Sequence, residues 1–219
     1  MVYILNIETS TKNCSVALSQ NGQLLLCKEI AEQGYSHAEK LHVFIDEILA
    51  EASIQFSELS AISVSSGPGS YTGLRIGVSA AKGLCYALGI PLISIDTLTS
   101  LAHQVKQTDG CIVPMIDARR MEVYSAVFNH EKEMIREVEA QIITGDSFAE
   151  ITDTIYFIGD SNEKVKSILN QPNHVFLDTF IYPSAQQMCA LSFAKFQSNE
   201  FEDLAYYEPF YLKDFLFAK

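Results

Sequence analysis

The segment Ser65-Ser66-Gly67-Pro68-Gly69-Ser70-Tyr71-Thr72-Gly73-Leu74-Arg75-Ile76-Gly77 holds the residue types and spacings best suited to chemistry. It follows the apolar run 61–64, which reads as a short buried strand, and leads into an Ala-rich helical pattern over 78–88. A strand, a glycine-rich turn and a helix start arrange backbone N–H groups so that they can face an anion. Gly67 and Gly69 permit positive φ and close backbone approach, while Pro68 stiffens the turn and removes one donor. Ser70 and Thr72 in this loop offer hydroxyls that could bind a phosphate. The loop departs from the common phosphate templates, however. It has no Gly-Lys-Ser/Thr ending, and Thr72 stands where a dinucleotide fingerprint needs its third glycine. A tight turn that lets a helix pack closely on a sheet explains the same residues. Ser70 and Thr72 serve equally well as the N-cap of the helix that follows.

Two carboxylates end strand-like runs. Glu8 can order the turn after it by accepting backbone N–H groups, which suits its position better than general-base work. Asp117, beside Arg119 and Arg120, reads as a structural ion pair or a contact between lobes. Cys14 lies within a strand pattern with no helix-start cue and reads as an inert buried thiol. No catalytic residue, metal site or cofactor is assigned from these patterns.

The elements that must position these groups are set by composition and periodicity. The chain has 219 residues, 48% hydrophobic and 19% charged, enough for one large domain or two small lobes. No apolar stretch approaches membrane-spanning length, and no basic n-region precedes an apolar h-region, so a soluble, cytoplasmic protein with no membrane partner is expected. The five cysteines are scattered, without a Cys-x-x-Cys pair, as free thiols in a reducing compartment would be. The formal net charge is −12, and both halves are acidic, with 5 Lys/Arg against 9 Asp/Glu in 1–103 and 10 against 18 in 104–219. Nucleic-acid affinity rests on cations that neutralise phosphates, so RNA is reached only through a partner that supplies positive charge.

Strands are expected at 3–7, 14–19 and 23–30, with Asn21-Gly22 as the hairpin turn between the last two. The same design returns at 112–116, 122–128 and 134–143, and at one offset Glu8 falls on Asp117, Ser15 on Tyr124 and Leu18 on Val127. A strand ending in a carboxylate, a polar turn and a hairpin thus occur twice, which points to a duplicated two-lobe architecture. Ser36 with Glu39 forms a capping box that opens a helix over 38–52, with a stripe of Leu41, Phe44, Ile45, Ile48, Leu49 and Ala52. A second helix, 72–88, stops at Gly89 with Pro91 beyond, and carries a small-residue face of Gly77, Ala80 and Ala81 with Leu84 and Leu88. Strands at 92–95, 155–158 and 175–177, and helices from Thr97, over 162–169 and over 184–196, complete the pattern. The fold class is α/β with mixed sheets. The division falls at 1–106 and 107–219, with the tail of the smaller second lobe packing back on the first.

At this point the residues resemble a known family. Ile4-Leu5-Asn6-Ile7-Glu8-Thr9-Ser10, the segment 66–77, Ile95-Asp96-Thr97-Leu98, Asp117-Ala118-Arg119 and Tyr207-Glu208-Pro209-Phe210-Tyr211-Leu212 are similar to the bacterial TsaB (YeaZ) proteins. These belong to the actin/sugar-kinase/Hsp70-like (ASKHA) superfamily. The resemblance implies a non-catalytic role in making N6-threonylcarbamoyladenosine at tRNA position 37. The partners it implies are TsaD, the paralogue that transfers the threonylcarbamoyl group, and TsaE, a small ATPase. The catalytic paralogue holds a metal on a His-x-x-x-His pair, and here Thr97 and Leu101 fall on those positions. No two of the five histidines are four apart. His37 and His42 lie about 140° apart round a helix, so they read as surface groups flanking the stripe. The acidic residue that follows Glu-Thr-Ser in the paralogue is also missing, since Thr11-Lys12-Asn13 follows here.

The expected mechanism is scaffolding. The helices 38–52 and 72–88 lie side by side and offer Leu41, Phe44, Ile45, Ile48, Gly77, Ala81 and Leu84 to the homologous helices of TsaD, with a homodimer as the competitor. Two other classes remain open. One is a stand-alone ATPase or small-molecule kinase using Thr9, Ser10, Gly67 and Gly69. The other is a metallopeptidase, a label long attached to relatives in this group.

Overall fold

The computed structural model describes residues 1–31, 37–106 and 109–212. The chain divides into two compact units, one of residues 1–97 with those from Ser184 onward, the other Leu98–Pro183.

In the first unit, β1 (Tyr3–Glu8), β2 (Asn13–Gln20) and β3 (Gln23–Ala31) form an antiparallel meander. Asn21 (φ 51°) and Gly22 (φ 81°) turn the second hairpin, the left-handed pair that an Asn-Gly turn favours. β4 (Leu59–Ser65) and β5 (Leu92–Ile95) add in parallel, giving the order β3-β2-β1-β4-β5. β1 carries apolar residues on both of its faces, broken only by the buried Asn6 before Glu8, because both faces of this sheet are covered. Leu5 and Ile7 pack with α1 (His37–Ala52) and α2 (Tyr71–Leu88). Ile4 packs, with Ala17, Ala61 and Ile93, against Ala185, Met188 and Cys189 of α5 (Ala185–Ser198). Ser70 caps α2 by accepting from Gly73 N at 3.3 Å, and Gly89 (φ 67°) ends it in the left-handed conformation. The Ser36 capping box lies outside the described residues.

The second unit repeats the topology. β6 (Cys111–Asp117), β7 (Glu122–Phe128) and β8 (Met134–Ile142) form a meander, and β9 (Ile155–Ile158) and β10 (His174–Phe176) add in parallel, in the order β10-β9-β6-β7-β8. This is the α/β, mixed-sheet duplication expected from the sequence. The register of the repeat differs by one residue, because Glu8 faces Ser15 whereas Asp117 faces Val123, not Tyr124.

Two expectations are corrected. The helix foreseen over 162–169 is regular only in α4 (Asn162–Val165). Ile168 N then bonds to Val165 O at 2.9 Å, three residues back, and the turn tightens ahead of Pro172. The division foreseen at 106/107 falls instead after Thr97, at the start of α3 (Thr97–Ala102), and again before Ser184. Burial accounts for both cuts. Leu98, Leu101, Ala102 and Val105 pack with Ile112, Ile116 and Phe128 of the second sheet, and the α5 residues close the first.

Candidate functional site

The turn after β1 and the loop after β4 meet at the start of α2, and the structure brings Thr9, Ser10, Gly67, Gly69 and Ser70 together there. Thr9 Oγ1 donates to Gly73 O at 2.8 Å, and Thr9 N donates to Ser65 Oγ at 3.4 Å. Ser70 N donates to Ser10 O at 2.6 Å, and Ser66 N donates to Ile95 O at 2.8 Å. A Cβ at Gly73 would overlap Thr9 O, one at Gly69 would overlap Ser10 O, and one at Gly77 would overlap Thr9 Oγ1. The glycines of this segment therefore let the β1–β2 turn press against α2. Gly67 (φ 109°) meets the chain from its other side, where Phe210 N donates to Ser66 O at 2.7 Å. Loop, turn and tail are thus packed against one another.

Glu8 is fully buried beneath this turn, and its Oε1 accepts from Ser10 N at 2.6 Å, the turn-ordering role expected of it. Its Oε2 is buried with no hydrogen-bond partner among the described residues. Burial pushes the carboxyl up to about 7, although the Ser10 amide pulls it the other way. Cys14 is buried too, and loss of solvation pushes its thiol up to about 11, out of the reactive range.

Asp117 is exposed and takes a different partner from the one its neighbours suggested. Its Oδ1 pairs with Lys164 Nζ and accepts from Arg119 N at 2.8 Å. Arg119 and Arg120 both have positive φ (72° and 52°), so their role is in the turn. His37 is likewise corrected. It is buried, with Nε2 2.8 Å from Thr11 O, and burial lowers its pKa, whereas His42 is exposed as expected. Among the described residues no three His, Cys, Asp or Glu side chains gather as a metal site would require.

The helix pair presents its surface elsewhere than at the stripe. Leu41, Ile45 and Ile48 of α1 and Ala81 of α2 are at most 2% exposed, and Gly77 is buried too, so none of these five is surface for a partner. The whole 41/45/48/49 stripe is consumed by the first sheet, which needs a broader apolar face than the sequence suggested. Phe44 and Leu84 are half-buried against the same core. Outward from that core, α1 and α2 bound an open groove of about 930 Å³. Ala38 and His42 line it from α1, and Arg75, Ile76, Ala80 and Leu84 from α2, so Leu84 alone of the expected seven contributes. Gly83, with nothing within 4 Å of where its Cβ would lie, leaves α2 bare at one end of this groove.

A strap formed by the tail runs along α2 to the groove. Lys82 Nζ donates to Ala205 O at 3.2 Å and to Tyr207 O at 2.9 Å. The Tyr211 ring lies tilted at 41° against that of Tyr71, with centroids 4.8 Å apart, and its hydroxyl accepts from Arg75 Nε at 3.2 Å. The sequence marked this tail only as similar to a family; Lys82 and Arg75, the cations of a mostly apolar helix, were the available sign of what it binds.

Residues 29–215 match the family model described as TsaD: tRNA N6-adenosine threonylcarbamoyltransferase. The chain is 32% identical over 188 residues to the tRNA threonylcarbamoyladenosine biosynthesis protein TsaB of Buchnera aphidicola, covering 80% of this chain and 83% of that protein. It is 36% identical over 132 residues to the protein of the same name from Haemophilus influenzae, a match that spans 59% of this chain and about half (55%) of that relative. YeaZ from Pseudomonas aeruginosa superposes with a TM-score of 0.84 at 27% identity, covering 97% of this chain and 100% of that one.

Proposed function

The chain belongs to the bacterial TsaB (YeaZ) family, and we propose that it is the non-catalytic companion of a TsaD-type threonylcarbamoyltransferase. Its relatives are named for tRNA threonylcarbamoyladenosine biosynthesis, and that is the pathway in which it acts. The groove between α1 and α2 is the observation that carries the scaffolding reading. An apolar channel between two helices, backed by a rigid sheet, suits the ridge of another helix pair, and the shared family model makes TsaD-type helices its natural complement. A stable contact of this kind buries roughly 1,600 Å² in total. A TsaE-like ATPase completes the assembly, and tRNA is reached through the complex, because a chain of net charge −12 repels a phosphate backbone.

The glycine loop supports the same reading. Its close approaches are made to Thr9 and Ser10, so we read it as a packing device and Thr9, Ser10, Gly67, Gly69 and Ser70 as vestiges of a nucleotide site. The test is depletion of the protein followed by nucleoside analysis of total tRNA. N6-threonylcarbamoyladenosine should fall; an unchanged level would remove the assignment. ATP turnover by the purified chain alone would favour the kinase reading instead.

A further inference from the structure

Resting on the docking reading above, we propose that Arg75 is the specificity determinant of the α1/α2 groove. It fits the groove to a partner helix that sets a carboxylate beside an apolar ridge, and against a second copy of this chain.

The guanidinium carbon lies 3.9 Å from the centroid of the Tyr71 ring, and Nε donates to Tyr211 Oη at 3.2 Å. One face and one edge of the fork are therefore held by aromatic side chains. A free arginine loses rotamer entropy when it pairs, and this one has been ordered in advance. With Nε engaged, the two terminal nitrogens remain for a planar acceptor, and a carboxylate meets such a fork with two parallel hydrogen bonds. Arg75 is exposed, lines the groove and takes part in no ion pair among the described residues. Glu208 contributes only the weakest of the influences that favour its charge, after the Tyr211 bond.

The rest of the lining decides between occupants. Its polar members are His42, Tyr71, Thr72 and Ser79, with no carboxylate among them. Two copies meeting groove to groove would bring two Arg75 cations together and no lining acid to receive either. A different helix pair can supply the acid. On a surface of net charge −12, a cation fixed in an apolar groove reverses the field at the point where complementarity selects a partner. Tyr211 acts through Arg75 and is a positioning residue; its place is set by the strap, through Phe210 N to Ser66 O and Lys82 to the carbonyls of 205 and 207.

The test uses the full chain and its purified TsaD-type transferase. Binding is measured by calorimetry at low and high salt, and self-association of the chain alone by sedimentation. Arg75→Glu should lower the affinity for the transferase at least about tenfold and invert its salt dependence, because added salt then screens a repulsion between two carboxylates. The same change should leave self-association undiminished and the melting temperature native. Tyr211→Phe, which keeps the ring and removes the acceptor, should give a smaller loss of about threefold in the same direction. Replacing the facing acid of the transferase by lysine should restore binding to Arg75→Glu. Unchanged affinity in Arg75→Glu overturns the proposal, as does an equal loss of both associations, which would mark Arg75 as packing alone. If the unsubstituted chain fails to bind the transferase at all, the docking reading itself is wrong, a result distinct from these.

Discussion

A Cβ on Gly77 would overlap the hydroxyl oxygen of Thr9, the same oxygen that donates to Gly73 O at 2.8 Å. One threonine hydroxyl thus fills the space beside α2 and uses its proton there. Gly77→Ala should destabilise the chain by about 2–4 kcal/mol, from overpacking and loss of that buried bond. Urea denaturation measures it; a midpoint equal to that of the parent chain would show that the helix does not need this contact.

Glu8 gives the chain a pH signature. Folded, its carboxyl is pushed by burial to about 7, well above an unperturbed glutamate at about 4.3. Between those values the folded form holds a proton that the unfolded form has released, so stability falls as pH rises through the window and levels off above about 7. The full loss is about 4 kcal/mol. Glu8→Gln should therefore gain stability relative to the parent from pH 5 to pH 8, with little difference near pH 4. Unfolding curves of the two proteins that stay parallel across that range would contradict the buried, uncompensated Oε2.

Core and groove should separate cleanly on the same helix pair. Ile48 is fully buried, so Ile48→Asp places a charge in the core and should cost more than about 4 kcal/mol, lost as native circular dichroism. Gly83 is exposed, with open space where a Cβ would go. Gly83→Ala should raise the stability of the free chain by about 0.5–1 kcal/mol through helix propensity while weakening partner binding. A gain in both would place the docking surface elsewhere.

The thiols should be slow to react. Burial raises Cys14 and Cys85 to about 11 and Cys189 to about 12, and Cys27 is raised as well but is only half-buried. Alkylation of the native protein at neutral pH, followed by mass spectrometry, should find Cys27 modified before the other three. Rapid labelling of Cys14 would mean that the β1–β2 turn opens in solution.

Much of this was legible in the chain because its periodicities are strong. β7 and β9 fall where alternation and apolar runs placed them, and α2 is bounded by Ser70 and Gly89 as capping chemistry requires. The meeting of Thr9 and Ser10 with Gly67, Gly69 and Ser70 rests on the parallel pairing of β1 with β4, which brings the ends of two strands distant in sequence together. What sequence could not decide was how many faces of an element find cover. The 41/45/48/49 stripe looked wide enough for sheet and partner together, yet it is used up by the sheet. His37 sits one turn before Leu41 and looked like a flank of that stripe, but the carbonyl of Thr11, distant in sequence, draws it inside. Asp117 was read beside the arginines nearest in sequence, whereas its cation, Lys164, arrives from another element. Each of these misses turns on a long-range contact that local spacing does not encode.

The return of the chain to its first sheet has a consequence during synthesis. Ile4, Ala17, Ala61 and Ile93 lose contact with water only when Ala185, Met188 and Cys189 cover them, and those residues emerge from the ribosome after all of 98–183. The contiguous middle segment can settle while translation continues, but the oldest strands must wait, one apolar face bare, for the last helix. A nascent chain halted before residue 184 should therefore be a client for chaperones at its beginning, not at its growing end.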